Sequence, residues 1–403
     1  MEYAYLVLFL FILFVVSRVF DKTNNALFSF LTIPSIFLFF LGIVEFNNYK
    51  DKFVSFNDFD LSGRTYFFGI ALVTGYVFSL IIGARLLNKG IKKPEKIYSQ
   101  KKIRYAIFFM ALCSFAALFI NLSNVGFNVL QLFTNAREYE KNFGKNWIIN
   151  YLYFLHVPCL MLIIYYINSY KVRNYLYLSL AFLLYLSSFF HGIKFTVFDA
   201  MFFPLFMLIS MHGFKSVYRG YLVLLSMFFI LFFALFSYGV RGGSSEFELL
   251  AIFNYLMPNY INLFYVIEKS ELIYSYPFDA FLGAVTLEAP LPRELPGVNF
   301  WVNDKYNMVT GLTFIIGSFY YFGSFVFYLS VQLSLRFLMG ASSLINLFLS
   351  AYIMFSSLMM FYAYYFGTKY KYIYFFIVFI ILHFIMKKRK PEAKNVKHSH
   401  TSL

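Results

Sequence analysis

The stretch Ala26-Leu-Phe-Ser-Phe-Leu-Thr-Ile-Pro-Ser-Ile-Phe-Leu-Phe-Phe-Leu-Gly-Ile-Val44 carries no charged residue, and as a helix it is long enough to cross the hydrocarbon core of a bilayer. Similar apolar runs recur along the chain and are separated by short clusters of lysine and arginine. Hydrophobic residues make up 61% of the chain and charged residues 13%, whereas about 25% of a soluble globular domain is charged. The composition therefore predicts a polytopic membrane protein.

The expected spans are α-helices, because a bilayer offers no water to unpaired backbone groups and the alternating segments of a membrane β-barrel are not visible. Hydropathy predicts an all-α protein with about eleven transmembrane helices. They lie near residues 1–16, 26–44, 65–86, 105–122, 147–167, 175–190, 195–211, 221–238, 311–333, 342–366 and 372–386. The first run lacks the basic leading segment and the cleavage site of a secretion signal, so we expect a retained span.

A long polar stretch, residues 239–310, separates the eighth and ninth expected spans. Its apolar run 249–267 contains three asparagines and a proline, and we expect a helix there that lies on or dips into the membrane face. We expect one membrane domain over residues 1–403, with this loop region outside the spans and a basic tail at 387–403. Any chemistry is expected close to the loop, because nearly all other segments are apolar.

The positive charges indicate the orientation of the chain. The connector 85–104 holds eight basic residues and one acid, Glu95, and short loops rich in lysine and arginine stay in the cytoplasm. Counting spans alternately from this connector places the C-terminus in the cytoplasm, and the N-terminus and residues 239–310 on the outer face. The net charge of +15 therefore indicates contact with anionic lipid headgroups and not with nucleic acid.

Four cations stand on the outer face where the apolar sequence is interrupted: Arg137, Lys194, Arg241 and Arg293. Contact with lipid headgroups explains any one of them equally well. As a set, they are the residue types that bind a pyrophosphate through charge-assisted hydrogen bonds. Arg241 suits this role best, because the two glycines that follow it let the backbone approach a ligand closely.

The outer face also holds candidate acids and bases. His191 lies three residues before Lys194 at a helix junction, although a histidine at a membrane edge is more often a structural hydrogen-bond donor than a catalyst. The carboxylates give no single base, and the candidates are Glu138, Glu140, Glu246, Glu248, Glu288, Glu294 and Asp304. Metal-ligand spacings, phosphate loops and nucleophile motifs are absent from the sequence, so we expect neither a metal nor a cofactor.

Several outer segments place an isolated cation or a polar run beside tyrosine, proline or glycine. They are Arg137-Glu-Tyr139, Phe190-His-Gly-Ile-Lys194, Arg241 directly after a span, Leu291-Pro-Arg-Glu-Leu-Pro296, and Asn303-Asp-Lys-Tyr-Asn-Met-Val-Thr-Gly-Leu-Thr313 leading into Ser318-Phe-Tyr-Tyr-Phe-Gly323. Together they resemble the bacterial oligosaccharide repeat-unit polymerases, which build O-antigen and capsular polysaccharide. The last segment is the most specific, since a polar approach leads into a span with tyrosines and then Phe-Gly.

The resemblance implies a polymerase that joins repeat units carried on undecaprenyl pyrophosphate at the periplasmic face of the bacterial inner membrane, without a metal or a nucleotide sugar. It implies a GT-C-like fold with the periplasmic loop as a lid, and it points to a chain-length regulator and a flippase as candidate protein partners. An O-antigen ligase or another lipid-linked glycan transferase is the nearest alternative. A flippase or transporter fits less well, because the chain shows no internal repeat and its charges cluster at span ends.

The residue roles are expectations under this resemblance. Arg241 and Lys194 are expected to hold the donor pyrophosphate, where cations stabilise the charge that builds up on the leaving group. Arg137 and Arg293 are expected to position the second carrier or to close the loop. The other expected site residues are His191 as general base or phosphate orienter, Glu288 and Asp304 as weaker base candidates, and Tyr139, Tyr306 and Asn307 as substrate contacts.

Overall fold

The computed structural model describes residues 25–53, 59–86, 97–172, 174–191, 194–214, 250–268, 311–339, 343–361 and 370–387. Over these ranges the chain is helical and contains no β-strand. One isolated antiparallel bridge joins Tyr98 to Lys387. The described part of the chain thus has the all-α character that the apolar runs predict.

The helices are numbered in chain order. They are α1 (Asn25–Val44), α2 (Phe46–Phe53), α3 (Gly63–Leu86), α4 (Gln100–Asn124), α5 (Gln131–Thr134), α6 (Ala136–Phe143), α7 (Trp147–Phe154), α8 (His156–Tyr170), α9 (Tyr175–Ser187), α10 (Lys194–His212), α11 (Leu250–Glu268), α12 (Gly311–Leu338), α13 (Leu344–Leu358) and α14 (Tyr370–Met386). Two short 3₁₀ turns, Ser188–His191 and Met359–Phe361, follow α9 and α13.

Within the described ranges, five helical segments are long and apolar enough to cross a membrane. They are Ala26–Val44, Gly63–Gly83, Gln100–Asn124, Trp147–Tyr170 and Leu344–Phe361. Shorter apolar helices lie where four further spans are predicted, at Tyr175–His191, Thr196–His212, Phe322–Leu338 and Lys371–Met386. The predicted spans at 1–16 and 221–238 lie outside the described residues. The structure is thus compatible with a helical membrane protein, and the total of about eleven spans stays a prediction.

The segment Trp147–Tyr170 is divided into α7 and α8 at Leu155. Pro158 explains the division, because proline has no N–H to donate to the carbonyl four residues earlier and its ring clashes with that carbonyl. The carbonyl in question belongs to Phe154, the last residue of α7. A new helix that begins at His156 places the proline in its first turn, where no donor is needed.

The helices meet at two opposite ends of the bundle, and the first is named the His191 end. There the hydroxyl of Tyr139 donates a 2.9 Å hydrogen bond to the carbonyl oxygen of Phe190. Near it, Lys371 at the start of α14 pairs with Asp199 in the second turn of α10. The helices α10 and α14 therefore both begin at the His191 end.

The opposite end is named the Tyr98 end. The hydroxyl of Tyr170, the last residue of α8, donates a 2.5 Å hydrogen bond to the carbonyl of Tyr98. The backbone N–H of Ser99 donates to the carbonyl of Met386, the last residue of α14. The helices α8 and α14 therefore end together, on the side where α4 begins.

The helices α3 and α12 pack closely against each other. A Cβ atom built on Gly75 would lie 2.9 Å from the backbone nitrogen of Phe325, and one on Gly83 would lie 2.5 Å from the side chain of Gln332. The later glycine of α3 contacts the later residue of α12, so the two helices run parallel. The buried Gly323 of the Phe-Gly motif lies two residues before Phe325, so the most specific part of the family resemblance borders this packing contact.

Replacing Gly75 with alanine is expected to destabilise the protein by about 1–3 kcal/mol, because the added methyl group meets backbone and the two helices must move apart. Denaturant or thermal unfolding of the purified protein in detergent measures the effect. Gly63→Ala is the matched control, since nothing lies within 4 Å of its added Cβ. Equal stability of both variants would contradict the close contact between α3 and α12.

The helix α11 is inserted among other helices. Every residue from Leu256 to Ile267 is buried, and the ring of Phe264 lies 5.3 Å from that of Phe39 in α1. Its last residue, Glu268, accepts hydrogen bonds of 2.5 Å from the hydroxyls of Ser62 and Thr65 at the start of α3. The described part of α11 is therefore packed on all sides by the protein, and its predicted placement relative to the membrane face stays a prediction.

Candidate functional site

The candidate site lies at the His191 end and is built first by the helix α6. The carboxamide oxygen of Asn135 accepts the backbone N–H of Glu138, and its nitrogen donates to the Glu138 carboxylate at 2.7 Å. This cap starts the helix so that Tyr139 points inward, where it is fully buried. Burial raises the pKa of the Tyr139 hydroxyl to about 12, so the hydroxyl stays protonated and keeps its bond to Phe190.

The second element is the turn Ser188–His191 that follows α9. The imidazole of His191 is 2% exposed and lies among three aromatic rings. It stacks on Tyr153 with ring centroids 5.6 Å apart and meets the rings of Phe143 at 5.4 Å and Phe154 at 5.3 Å. The α6 helix, the α7 helix and the turn are therefore packed around one histidine.

Both ring nitrogens of His191 have hydrogen-bond partners. Nε2 lies 3.2 Å from the carboxamide oxygen of Asn150, and Nδ1 lies 3.4 Å from the hydroxyl of Thr196. An amide oxygen only accepts, so Nε2 carries the proton and donates it, while Nδ1 accepts the threonine hydroxyl. The imidazole is thus neutral and both of its nitrogens are hydrogen-bonded, which fits a structural role. To act as a general base, His191 would have to lose the hydrogen bond between Nδ1 and the Thr196 hydroxyl.

A buried ion pair lies beside this histidine. The ammonium of Lys371 bonds to one carboxylate oxygen of Asp199, and the hydroxyl of Tyr372 donates to the other at 2.9 Å. The Asp199 side chain is 2% exposed and that of Lys371 is 15% exposed. Ionisable residues inside a membrane protein are costly to bury and usually serve function, so this pair belongs to the candidate site.

His156 is a second buried histidine, and among the described residues only one of its two ring nitrogens is hydrogen-bonded. Its Nδ1 lies 2.9 Å from the carbonyl oxygen of Tyr153, so Nδ1 carries the proton and Nε2 is the nitrogen with a free lone pair. The ring is fully buried, and Nε2 has no hydrogen-bond partner within the described chain. His156, unlike His191, therefore keeps a nitrogen that can accept a proton or a hydrogen bond.

The structure brings together two of the predicted site residues, Tyr139 and His191, which both contact the ring of Phe143. Arg137 lies in the same helix as Tyr139, at the second position of α6, and Lys194 is the first residue of α10, three positions after His191. The other predicted site residues lie outside the described ranges: Arg241, Glu288, Arg293, Asp304, Tyr306 and Asn307. In the described ranges no group of three or more His, Cys, Asp or Glu side chains is placed to hold a metal ion.

The sequence reading missed four residues of this site: Asn150, His156, Asp199 and Lys371. Each carries a signal that could have singled it out, because each is a polar or charged side chain within or at the edge of an apolar run. Asp199 gives the clearest signal, since it is the single acid in the run 195–211. The sequence does not reveal that Lys371, far away in the chain, is its partner.

Compared with protein-family models, with curated proteins and with solved structures, the chain has no significant match in any of the three.

Proposed function

We propose that the protein is a membrane glycan polymerase, which joins oligosaccharide repeat units carried on undecaprenyl pyrophosphate at the periplasmic face of the bacterial inner membrane. The observation that carries the proposal is the bond from Tyr139 to Phe190. It connects two segments of the resemblance, 137–139 and 190–194, that are about fifty residues apart in sequence, as expected of parts of one binding site.

The proposed reaction requires positively charged protein side chains beside the pyrophosphate of the donor. Transfer of a glycan from a pyrophosphate leaves negative charge on the leaving group, and preorganised positive groups there lower the barrier. Arg137 belongs to α6, Lys194 begins the helix α10 that follows the turn Ser188–His191, and Lys371 supplies a third cation at the same end. In this proposal Arg241 and Arg293 complete the set from the region 239–310, and Glu288, Asp304, Tyr306 and Asn307 remain candidates for contacts with the sugars.

The position of the buried charges argues against a transporter. In a secondary transporter, charged side chains lie near the middle of the membrane between repeated halves. Here Lys371 is the second residue of α14 and Asp199 the sixth residue of α10, so both lie close to helix ends. An O-antigen ligase, which uses the same kind of donor, stays the second candidate because the outer segments resemble polymerase motifs without excluding a different acceptor.

The test is the glycan pattern of cells that lack the gene. Loss of a polymerase leaves one repeat unit on each lipid core, whereas loss of a ligase or a flippase leaves none. We expect single units, and their absence would reject the polymerase in favour of the other two.

Arg241→Ala and Lys194→Ala should each reproduce the single-unit pattern with the protein level unchanged, because each removes a cation from the pyrophosphate. Lys101→Ala removes one charge from an exposed lysine at the Tyr98 end and serves as the control, with polymer of normal length. Normal polymer in the Arg241 variant would remove that residue from the proposal.

A further inference from the structure

The two side chains of the Lys371–Asp199 ion pair differ in solvent exposure. The Asp199 carboxylate is 2% exposed and accepts from both Lys371 and Tyr372. The Lys371 side chain lies in the first turn of α14 and is 15% exposed. A ligand that approaches the His191 end therefore meets the ammonium before it meets the carboxylate.

The ammonium of Lys371 has hydrogen-bonding capacity left. A lysine carries three N–H donors, and among the described residues Lys371 uses one of them on Asp199. Its other neighbours are the faces of two rings, Phe154 at 5.9 Å and Tyr372 at 5.1 Å. Aromatic faces attract a cation but are weak substitutes for an oxygen acceptor. The arrangement therefore orients the ammonium and leaves N–H donors on it that an anionic oxygen can accept.

A second, independent observation comes from His156. Its Nδ1 is fixed by the Tyr153 carbonyl, and its buried Nε2 is an acceptor without a donor in the described chain. The rings of His156 and His191 both contact Tyr153, and Lys371 and His191 both contact the ring of Phe154, which places the three groups in one region. A ligand with an anionic oxygen and a neighbouring hydroxyl would satisfy the lysine donors and the histidine acceptor together.

Stability alone is a weak reason for such a pair. Desolvating two charges is costly, and replacing a buried pair by apolar residues of similar volume is often neutral or stabilising. Packing of α10 on α14 is provided in any case by aromatic contacts such as Phe203 on Tyr372, at 5.6 Å. A role for the charge itself accounts for the pair better.

We propose that Lys371 is a further substrate-binding residue, which contacts a phosphate of the lipid-linked pyrophosphate donor, and that Asp199 is the positioning residue that fixes its ammonium. The identity of the anion rests on the proposed function. The ligand class follows from the site, because a glycosyl pyrophosphate carries anionic oxygens beside sugar hydroxyls. Lys371 then neutralises charge on the departing pyrophosphate, and Asp199 keeps the free site electrically neutral.

The test compares the wild-type chain with the double variant Lys371→Met, Asp199→Asn, which removes both charges and leaves side chains of similar size. Each purified protein is placed in phosphatidylcholine nanodiscs with undecaprenyl pyrophosphate, undecaprenol or phosphatidylglycerol, and thermal unfolding is followed as lipid is titrated. We expect undecaprenyl pyrophosphate to stabilise the wild type. The double variant should bind it about tenfold more weakly, as expected for loss of a charge-assisted contact. Lys101→Met is the control for nonspecific loss of charge.

The outcomes separate this inference from the proposed function. Equal affinity of the double variant and the wild type for undecaprenyl pyrophosphate would overturn the inference, even if the deletion strain shows single repeat units. Equal stabilisation by phosphatidylglycerol would also overturn it, because the site would then take any lipid phosphate. Weaker binding by the double variant supports it, whatever the glycan pattern of the deletion strain.

A second variant keeps the inference testable if the double variant does not fold. The reversed pair, Lys371→Asp with Asp199→Lys, retains an ion pair between α10 and α14 but places a carboxylate at the open position. The same weakening of undecaprenyl pyrophosphate binding is expected, and wild-type affinity in the reversed pair would reject a contact between Lys371 and the phosphate.

Discussion

Replacing His191 with alanine is expected to lower the free energy of unfolding by about 3 kcal/mol or more. The ring is 2% exposed and fills the space between the aromatic side chains of Phe143, Tyr153 and Phe154, so its loss leaves a cavity. The substitution also removes the partner that the Asn150 carboxamide and the Thr196 hydroxyl have in the imidazole. Denaturant unfolding in detergent and the level of folded protein in membranes measure the loss.

His212→Ala provides the comparison, because this histidine lies at the opposite end of α10 and is exposed. It should change the free energy of unfolding by less than about 1 kcal/mol. The contrast separates two roles for His191. If His191→Ala folds normally but fails to support polymer, the histidine acts on the substrate as the sequence suggests, and the structural role inferred from its two satisfied nitrogens is wrong.

Replacing Tyr98 with phenylalanine is expected to cost about 2–3 kcal/mol, a large effect for the loss of one oxygen atom. The Tyr98 side chain is fully buried, and its hydroxyl lies 2.6 Å from Nδ1 of His383 while accepting the backbone N–H of Leu344 at 2.8 Å. Without the hydroxyl, the buried first N–H of α13 loses its acceptor, and the half-buried imidazole of His383 loses a hydrogen-bond partner. Thermal unfolding of the purified protein in detergent detects the change.

The control for this prediction is Tyr105→Phe, one helical turn into α4. Tyr105 is 64% exposed, so removal of its hydroxyl should leave stability nearly unchanged. If the two variants unfold alike, Tyr98 does not join α13 and α14 in the way that the structure indicates.

Most of the helices could be predicted from the sequence, because hydrocarbon solvation imposes both length and apolar composition on a spanning helix. The runs at 26–44, 65–86 and 105–122 show this directly, since each coincides with a described helix. The division of Trp147–Tyr170 at Leu155 is explained by Pro158, but the sequence alone does not predict it, because Pro34, Pro204 and Pro258 lie inside unbroken helices. The burial of α11 against other helices was not predictable either, since it depends on side chains of α1 and α3 that only the folded bundle brings near.

The site was predictable only in part, for a related reason. His191 and Tyr139 attract notice because they interrupt or border apolar sequence, and the structure brings them together. The chemical state of His191 was not readable, because its partners Asn150 and Thr196 come from two other helices. The pairing of Asp199 with Lys371 was equally hidden, since hydropathy records that a charge is buried but not which charge compensates it.

The joint at the Tyr98 end has a consequence for biogenesis. It ties the connector before α4 to the last turn of α14, and Tyr98 and His383 are separated by 285 positions along the chain. A nascent polypeptide cannot form this joint until α14 has been translated, so until then the Tyr98 hydroxyl lacks the partners that it has in the folded protein. Assembly is therefore late and depends on the C-terminal helix, and a ribosome that stalls before α14 should yield a product that quality-control proteases remove.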